Sequence, residues 1–393
     1  MTLRFRTVTK TTDQSRRWSL LRLGRPTSRA SLSRGLIATR LILMATIGAA
    51  LGFPQTLPPL SSNATVFASG FNNPRGLKFG PDGVLYVAEG GTGGTATSTG
   101  QCAQVVAPVG PYTAGVTGRI SRVGLAGAVS TVVDGLPSSQ TSSGEGSLVS
   151  GVADIAFVGS TMYALLSGAG CSHGVPNTPN GVIQVNATKG SWTPFADLST
   201  FLASNPVANP SPDDFEPDGT FWNLVALGDR LYTVEPNHGE IDEISPQGNV
   251  RRVVDISASH GHIVPTALAY HNGWYFGNLF QFPVHQGESN IYRLDGNKRI
   301  QVAVPQVTTV LGIAFDSQDR MYILEMSVAE GGPAPGVGKV VRYEYNGHLT
   351  DIATGLSFPT GMTFGPDGRL YVSNFGFGFP PGSGQVVVVK IPD

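Results

Sequence analysis

Charge and cysteine are what this chain of 393 residues has least of. Asp, Glu, Lys and Arg make up 13% of it, about half the share usual in soluble domains. The two cysteines, Cys102 and Cys171, stand alone in sequence. They argue against a cysteine-built metal centre, which needs clustered thiolates. The run from Leu41 to Phe53 is uncharged and mostly apolar, but it falls short of the roughly 20 residues that a membrane-crossing helix requires. Catalytic signatures are missing too. Gly90 to Gly94 lacks the lysine and the following helix of a phosphate loop. The serine-rich stretch from Ser138 to Ser150 carries no nucleophile elbow. No catalytic triad can be assembled from spacing.

What the chain does have is repetition. "GPDGVLYVAEG" around Tyr86 and "GPDGRLYVSNFG" around Tyr371 are nearly the same phrase, with weaker copies at Tyr163, Tyr232, Tyr275 and Tyr322. Self-similarity at periods of a few tens of residues marks an array of supersecondary units. Each copy has an apolar run, a Gly/Asp turn and a second run centred on Tyr, the pattern of a β-hairpin. A third β-rich run follows, as in Arg119 to Val123 or Lys339 to Tyr343, and a fourth such as Val129 to Val133. Six units of four strands predict an all-β, six-bladed β-propeller with antiparallel blades over 65–393. The spacings between successive tyrosines are 77, 69, 43, 47 and 49 residues. The first two imply large insertions in blades 1 and 2, at about 90–118 and 168–222. Thr65 to Ala68 is a spare strand that can complete the last blade and close the ring without an exposed edge.

Residues 1–53 read as a basic leader plus a hydrophobic export signal or uncleaved anchor, and 54–64 as a linker. The leader carries ten Lys/Arg and one acid. The rest then holds 16 basic and 26 acidic residues, a net charge near −10, which argues against a nucleic-acid partner. Membrane contact is expected only through the N-terminal segment, and the location is periplasmic or extracellular. After export, Cys102 and Cys171 could form one disulfide joining the two insertions; two free thiols are the alternative. Asn63-Ala64-Thr65 and Asn186-Ala187-Thr188 are glycosylation sequons by pattern alone.

The block "ASGFNNPRGLKFGPDGVLYVAEGGTGG" is similar to the start of the exported propellers of the ScyD/ScyE family, found with scytonemin pigment clusters. "TGRISRV", "VVDGLPSS", "GVADIAF", "NLVALGDRLYTVEPNHGEIDEI" and "FPTGMTFGPDGRLYVSNFG" resemble that family in order, over roughly residues 65–393. The family tends to have Asp-Ala-Gly-Gly-Asn where this chain has Glu235 to Gly239. The resemblance implies an exported propeller, with handling of an aromatic pigment precursor as its process. A looser similarity joins the blades to NHL-repeat and gluconolactonase-like propellers.

In such propellers the residue before each inner strand points at the axis. Here those are Arg75, Ala153, Asn223, Thr266, Leu311 and Thr360. The residue three after each repeat tyrosine lies near the same mouth: Glu89, Leu166, Glu235, Asn278, Glu325 and Asn374. The carboxylates and amides of this rim (Glu89, Glu235, Asn278, Glu325, Asn374) could hold Ca²⁺, or they could bond backbone N–H groups in every blade. A lactonase-type metal centre would need acidic or amide ligands on the inner ring, where Arg75, Ala153 and Leu311 stand instead. His260 and His262 lead into blade 4, and His262 is a weak candidate base. Asp214 to Gly219 has the start of a calcium loop, but Val225 occupies its twelfth position. Phe280, Phe282, Phe375, Phe377 and Phe379 sit in Gly/Pro-rich loops and read either as apolar lips for a flat aromatic ligand or a partner protein, or equally as packing wedged between blades. Arg75, Asn223, Thr266 and Thr360 with Phe280, Phe282, Phe375 and Phe377 are the expected ligand-binding set. The expected role is a non-catalytic binding or scaffold protein for a small aromatic molecule. A metal-dependent lactonase-like hydrolase and an extracellular protein-interaction module are the alternatives.

Overall fold

Six antiparallel sheets, each started by an inner strand, build the six-bladed propeller. The computed structural model describes residues 56–392; the expected leader over 1–53 lies outside the described residues. The inner strands are Pro74–Phe79, Val152–Val158, Leu224–Leu227, Pro265–Tyr270, Val310–Phe315 and Gly361–Phe364. Each returns through a hairpin into a strand that carries the repeat tyrosine and ends at Glu89, Leu166, Glu235, Asn278, Glu325 or Asn374. Ala64–Phe71 supplies the outer strand of blade 6 by pairing with Gly384–Val389. The first and last strands of the domain are thus locked in one sheet, and the ring has no free edge there. Residues 56–63 run beside blade 5, where the Ser61 amide donates to Thr354 O at 3.1 Å. The Asn63 side chain donates to Ile352 O and Lys390 O, so the first sequon is tied into the fold.

The insertions differ in extent from the sequence expectation. In blade 1 the third strand already begins at Thr113 (Thr113–Val123). The stretch 168–222 contains the third and fourth strands of blade 2, Gly181–Asn186 and Ser191–Asp197. The irregular chain lies on either side of them, apart from a helix at Leu198–Ser204. That helix starts where the Asp197 carboxylate accepts the Thr200 amide at 2.8 Å, an N-cap bond. No helix among the described residues is long and apolar enough to cross a membrane.

The repeat tyrosine has a definite physical job. Its ring packs on the aromatic residue that ends the inner strand of the next blade. Tyr86 meets Phe157 at 5.4 Å, Tyr275 meets Phe315 at 5.4 Å, Tyr322 meets Phe364 at 5.1 Å and Tyr371 meets Phe79 at 5.1 Å. Tilted and edge-on contacts at this spacing add to simple area burial. The hydroxyl, at the edge of this apolar wedge, donates to a turn carboxylate: Asp82 for Tyr86 at 2.9 Å, Asp367 for Tyr371 at 2.8 Å and Asp316 for Tyr322 at 3.1 Å. Burial and the adjacent aspartate push the phenols of Tyr86 and Tyr371 up to about 12. Gly365 opens the turn because a β-carbon there would come within 2.7 Å of the Tyr371 ring and of Asp367. Six apolar cores, one per junction, grow around these contacts.

Blades 2 and 3 break the rule. Leu227 ends the inner strand of blade 3, so Tyr163 turns to Phe195 of its own blade, at 4.8 Å. Blade 4 ends its inner strand with Tyr270, which is 44% exposed; Trp274 takes the place against Tyr232 at 4.4 Å. Blade 3 also buries two carboxylates on one face of the strand Glu240–Ile244. Burial pushes Glu240 up to about 7 against the pull of Arg252. Burial and the Glu240 charge push Asp242 well above the carboxylate range. Thr233 lies opposite Asp242 in the ladder, and its hydroxyl oxygen, both Asp242 oxygens and Glu240 Oε1 have no hydrogen-bond partner among the described residues. With Arg252 bonded to Glu240, the group is neutral when the two acids share one proton.

Tyr371→Ala should cost about 3–5 kcal/mol in urea unfolding, and Tyr371→Phe only about 1 kcal/mol; a small cost for the alanine variant would contradict the wedge. The Glu240–Asp242 pair holds protons that the unfolded chain releases above about pH 4. Stability should therefore fall as pH rises from about 4 through 7. Asp242→Asn should flatten the melting temperature between pH 5 and 8, and an unchanged slope would contradict the assignment.

Candidate functional site

The inner strands converge around a small cavity. An axial cavity of about 20 Å³, lined by Gly76, Lys78, Asp154, Asn223, Leu268 and Met362 among others, has room for roughly one water. Asp154, one residue beyond the expected Ala153, supplies the carboxylate at this cavity. The inner strand is irregular between Val152 and Asp154, as it is at Pro74/Leu77, Pro265/Leu268 and Val310/Gly312, and the Asp154 carboxylate rather than Ala153 lines the cavity. There it accepts the amides of Ile155 and Leu224 at 2.9 Å each and Asn223 Nδ2 at 3.2 Å. Burial pushes its acid up, against the Lys78 charge and these bonds. Gly76 of blade 1 must lack a side chain, since a β-carbon would overlap Asp154 Oδ1. Asn223 then accepts the Leu268 amide at 2.9 Å, carrying the chain of bonds from blade 2 through blade 3 to blade 4.

Thr266 and Thr360 extend the same girdle. Thr266 donates to Val310 O, and Thr360 donates to Pro74 O at 2.6 Å. Three of the four expected polar axial ligands thus stitch neighbouring blades together. Arg75 does something different. Its guanidinium donates to Val149 O and lies 5.6 Å from the centre of the Trp222 ring. It faces no carboxylate among the described residues, and burial lowers it to about 10. Trp222 Nε1 in turn donates to Leu311 O at 3.2 Å. Arg75, Trp222 and Leu311 come from blades 1, 3 and 5, so their contact spans the axis and roofs it.

Around this roof lies a seventh apolar cluster of Leu311, Met326 and Phe358, with Trp222, Leu279, Phe377 and Phe379 packed on it. Phe377 stacks on Phe358 at 4.5 Å, and Phe375 meets Phe379 edge-on at 4.5 Å. The lip from blade 6 therefore forms a continuous aromatic surface. The blade 4 lip does not join it as expected: Phe280 packs into the core between blades 3 and 4, and its neighbour Leu279 faces the mouth. Phe282 is half-buried beyond that turn.

The rim carboxylates and amides do not gather into a cation site. Glu89 accepts the Asn72 amide at 2.7 Å and pairs with Arg119 at 2.8 Å. Glu235 accepts the amides of Thr220 and His238, and Glu325 that of Thr308. Asn374 accepts the Ser357 amide at 2.7 Å, while Asn278 bonds Ile263 O and the Asn290 amide. Each side chain closes the backbone of its own blade, because a turn leading into an inner strand leaves an amide that the ladder cannot satisfy. No three acidic, histidine or cysteine side chains among the described residues converge on a metal position. The Ca²⁺ option at the rim therefore does not fit these residues.

The insertions of blades 1 and 2 are bolted to each other. Cys102 and Cys171 form a disulfide across a separation of 69 residues, with Cα atoms 6.3 Å apart. Next to it, Glu216 is buried and accepts the Tyr112 hydroxyl at 2.7 Å and the Thr220 hydroxyl; His173 Nε2 stands at 3.3 Å. Burial would raise Glu216, but the bonds from His173, Thr220 and Tyr112 outweigh it and hold the carboxyl below its ordinary value. Ser139 Oγ lies 2.9 Å from His173 Nδ1, so serine, histidine and glutamate do meet here. All three are buried, Ser139 and His173 completely, which makes this a tie between insertions. The remaining acids of the calcium-like loop diverge. Asp214 pairs with His262 at 2.7 Å, and Asp218 accepts the Ser172 amide and hydroxyl. His262 is thereby held at the loop rather than aimed at the axis, and His260 sits edge-on to Tyr292 at 5.4 Å.

No family model matches the chain, and no curated protein matches it by sequence. Solved structures resemble it in fold. One is a protein of unknown function from Bacteroides thetaiotaomicron, at 10% identity and TM-score 0.52 over 84% of this chain and 76% of that one. Another is a putative oxidoreductase (glucose dehydrogenase) from Thermus thermophilus, at 15% identity and TM-score 0.50 over 84% and 100%. A gluconolactonase from Xanthomonas campestris follows at 11% identity and TM-score 0.48, over 84% and 89%. At these identities the likeness is one of propeller architecture.

Glu216→Ala should destabilise the domain by about 3 kcal/mol in chemical unfolding, since it strips the partner from the buried Tyr112 hydroxyl and the half-buried Thr220 hydroxyl and leaves the buried His173 ring facing a void. His262→Ala, at the edge of the same loop, should cost less than about 1 kcal/mol. Equal costs would contradict the buried tie.

Proposed function

We propose that the chain is an exported propeller of the ScyD/ScyE type that binds a planar aromatic anion at the roofed axial mouth, as a binding or scaffold protein outside the cytoplasm. The observation that carries this reading is Arg75, a buried guanidinium without a carboxylate partner, stacked on Trp222 beneath an aromatic lip. A desolvated cation favours an anion, and neighbouring rings favour a flat aromatic body. The resemblance to pigment-cluster propellers supports a phenolic or indolic precursor as the natural ligand. The disulfide between the insertions supports an oxidising compartment.

The hydrolase reading has Asp154 and Asn223 in its favour, a carboxylate and an amide at the axis. Both are engaged by backbone amides of blades 2, 3 and 4, and Lys78 lines the same small cavity. The binding reading is preferred for that reason.

Indole-3-carboxylate should quench the tryptophan fluorescence of the folded domain saturably, with neutral 3-methylindole binding more weakly. Arg75→Met should reduce affinity about tenfold or more, the loss of a charge-assisted contact, while still melting cooperatively. Undiminished binding by a folded Arg75→Met variant would overturn the reading.

A further inference from the structure

The break in the tyrosine rule at blade 4 leaves a second opening. On the hairpin-turn face, opposite the mouth, a groove of about 670 Å³ runs between blades 3 and 4. At four other junctions an aromatic residue at the end of the inner strand fills this place. Here Tyr270 occupies that position and remains 44% exposed, held edge-on to Trp274 at 5.1 Å. The groove is thus walled by a presented aromatic ring on a rigid hairpin.

The charges in the groove are not balanced. Glu243 is engaged by Arg230, Arg251 and the Tyr232 hydroxyl, and Asp295 by Arg299. Lys298 and Arg293, which also line it, pair with no carboxylate among the described residues. Arg293 donates to Asn272 O at 3.0 Å and lies 5.5 Å from the centre of the Tyr275 ring. The side-chain amides of Asn272 and Gln301 line the groove without a protein hydrogen-bond partner among the described residues. An exposed ring, two free amides and two spare cations form an open, half-polar surface. An aromatic ligand gains most from an enclosed apolar slot, whereas a sugar offers an apolar C–H face for one ring and hydroxyls for amides. A carboxylate would complete the match with the cations.

We propose that this groove is a second binding site, for an acidic saccharide whose uronate ring lies on Tyr270, with its carboxylate taken by Lys298 and Arg293 and its hydroxyls by Asn272 and Gln301. The site is independent of the axial mouth, and either can fail without the other. The test is calorimetric titration of the folded protein with oligogalacturonate, with a neutral gluco-oligosaccharide and with indole-3-carboxylate. Oligogalacturonate should bind more tightly than the neutral saccharide and should weaken with added salt. Lys298→Glu and Tyr270→Ala should each reduce its affinity about tenfold or more, and Arg75→Met should leave it unchanged. The proposal is overturned by equal binding of the neutral saccharide, by no saccharide binding, or by retained affinity in both folded groove variants. It is equally overturned if indole-3-carboxylate binding is the one lost in Lys298→Glu.

Discussion

Four of the six blade junctions hang on one wedge: the repeat tyrosine ring set against the aromatic residue that ends the inner strand of the next blade, its hydroxyl tied in three of them to a turn aspartate. The ring supplies the area burial that joins two sheets. The hydroxyl makes the wedge directional, since it must reach the turn of its own blade. A propeller has no single central core, so its junctions carry its stability. Where the inner strands meet near Asp154 and Asn223, the axial cavity holds only about 20 Å³.

The repeated residues and those that occur once have different structural jobs. Tyr86, Glu89, Glu235 and Asn374 recur because every blade has the same backbone amides and the same junction to satisfy. The residues that occur once behave otherwise. Arg75 and Trp222 roof the axis from different blades, and Tyr270 leaves a junction open. The Tyr112–His173–Glu216 tie and the disulfide keep the irregular insertions of blades 1 and 2 from moving independently beside the mouth. Preorganisation of this kind lowers the ordering cost of binding.

The sequence made the architecture legible to a considerable depth. Tyrosine spacing counted the blades, and the spare strand near Thr65 closes blade 6. Alternation and turn residues are local signals, and a propeller repeats them six times. Asp154 was hidden for the opposite reason. The expected position, Ala153, is apolar and the carboxylate stands one residue later, where the matching residue of blade 1 is Gly76, which leaves room for it. Trp222 carries no sequence signal because it lies just before Asn223, outside the repeat grammar, and its partners Arg75 and Leu311 are distant in sequence. Phe280 and Leu279 show the same limit: adjacent apolar residues in a loop carry no signal for which one faces the core.

Aromatic-anion binding belongs, on this reading, where the repeat ends, at Trp222, and away from the other indoles. The chain has four tryptophans: Trp18, outside the described residues, Trp192 on the outer strand of blade 2, Trp222 at the mouth and Trp274 in the groove. A fluorine NMR titration of 5-fluorotryptophan-labelled protein with indole-3-carboxylate reads all of them at once. The prediction is a saturable shift of the Trp222 resonance with the Trp192 and Trp274 signals unmoved. A saturating ligand that leaves Trp222 in place, or that moves Trp274 instead, would contradict the claim.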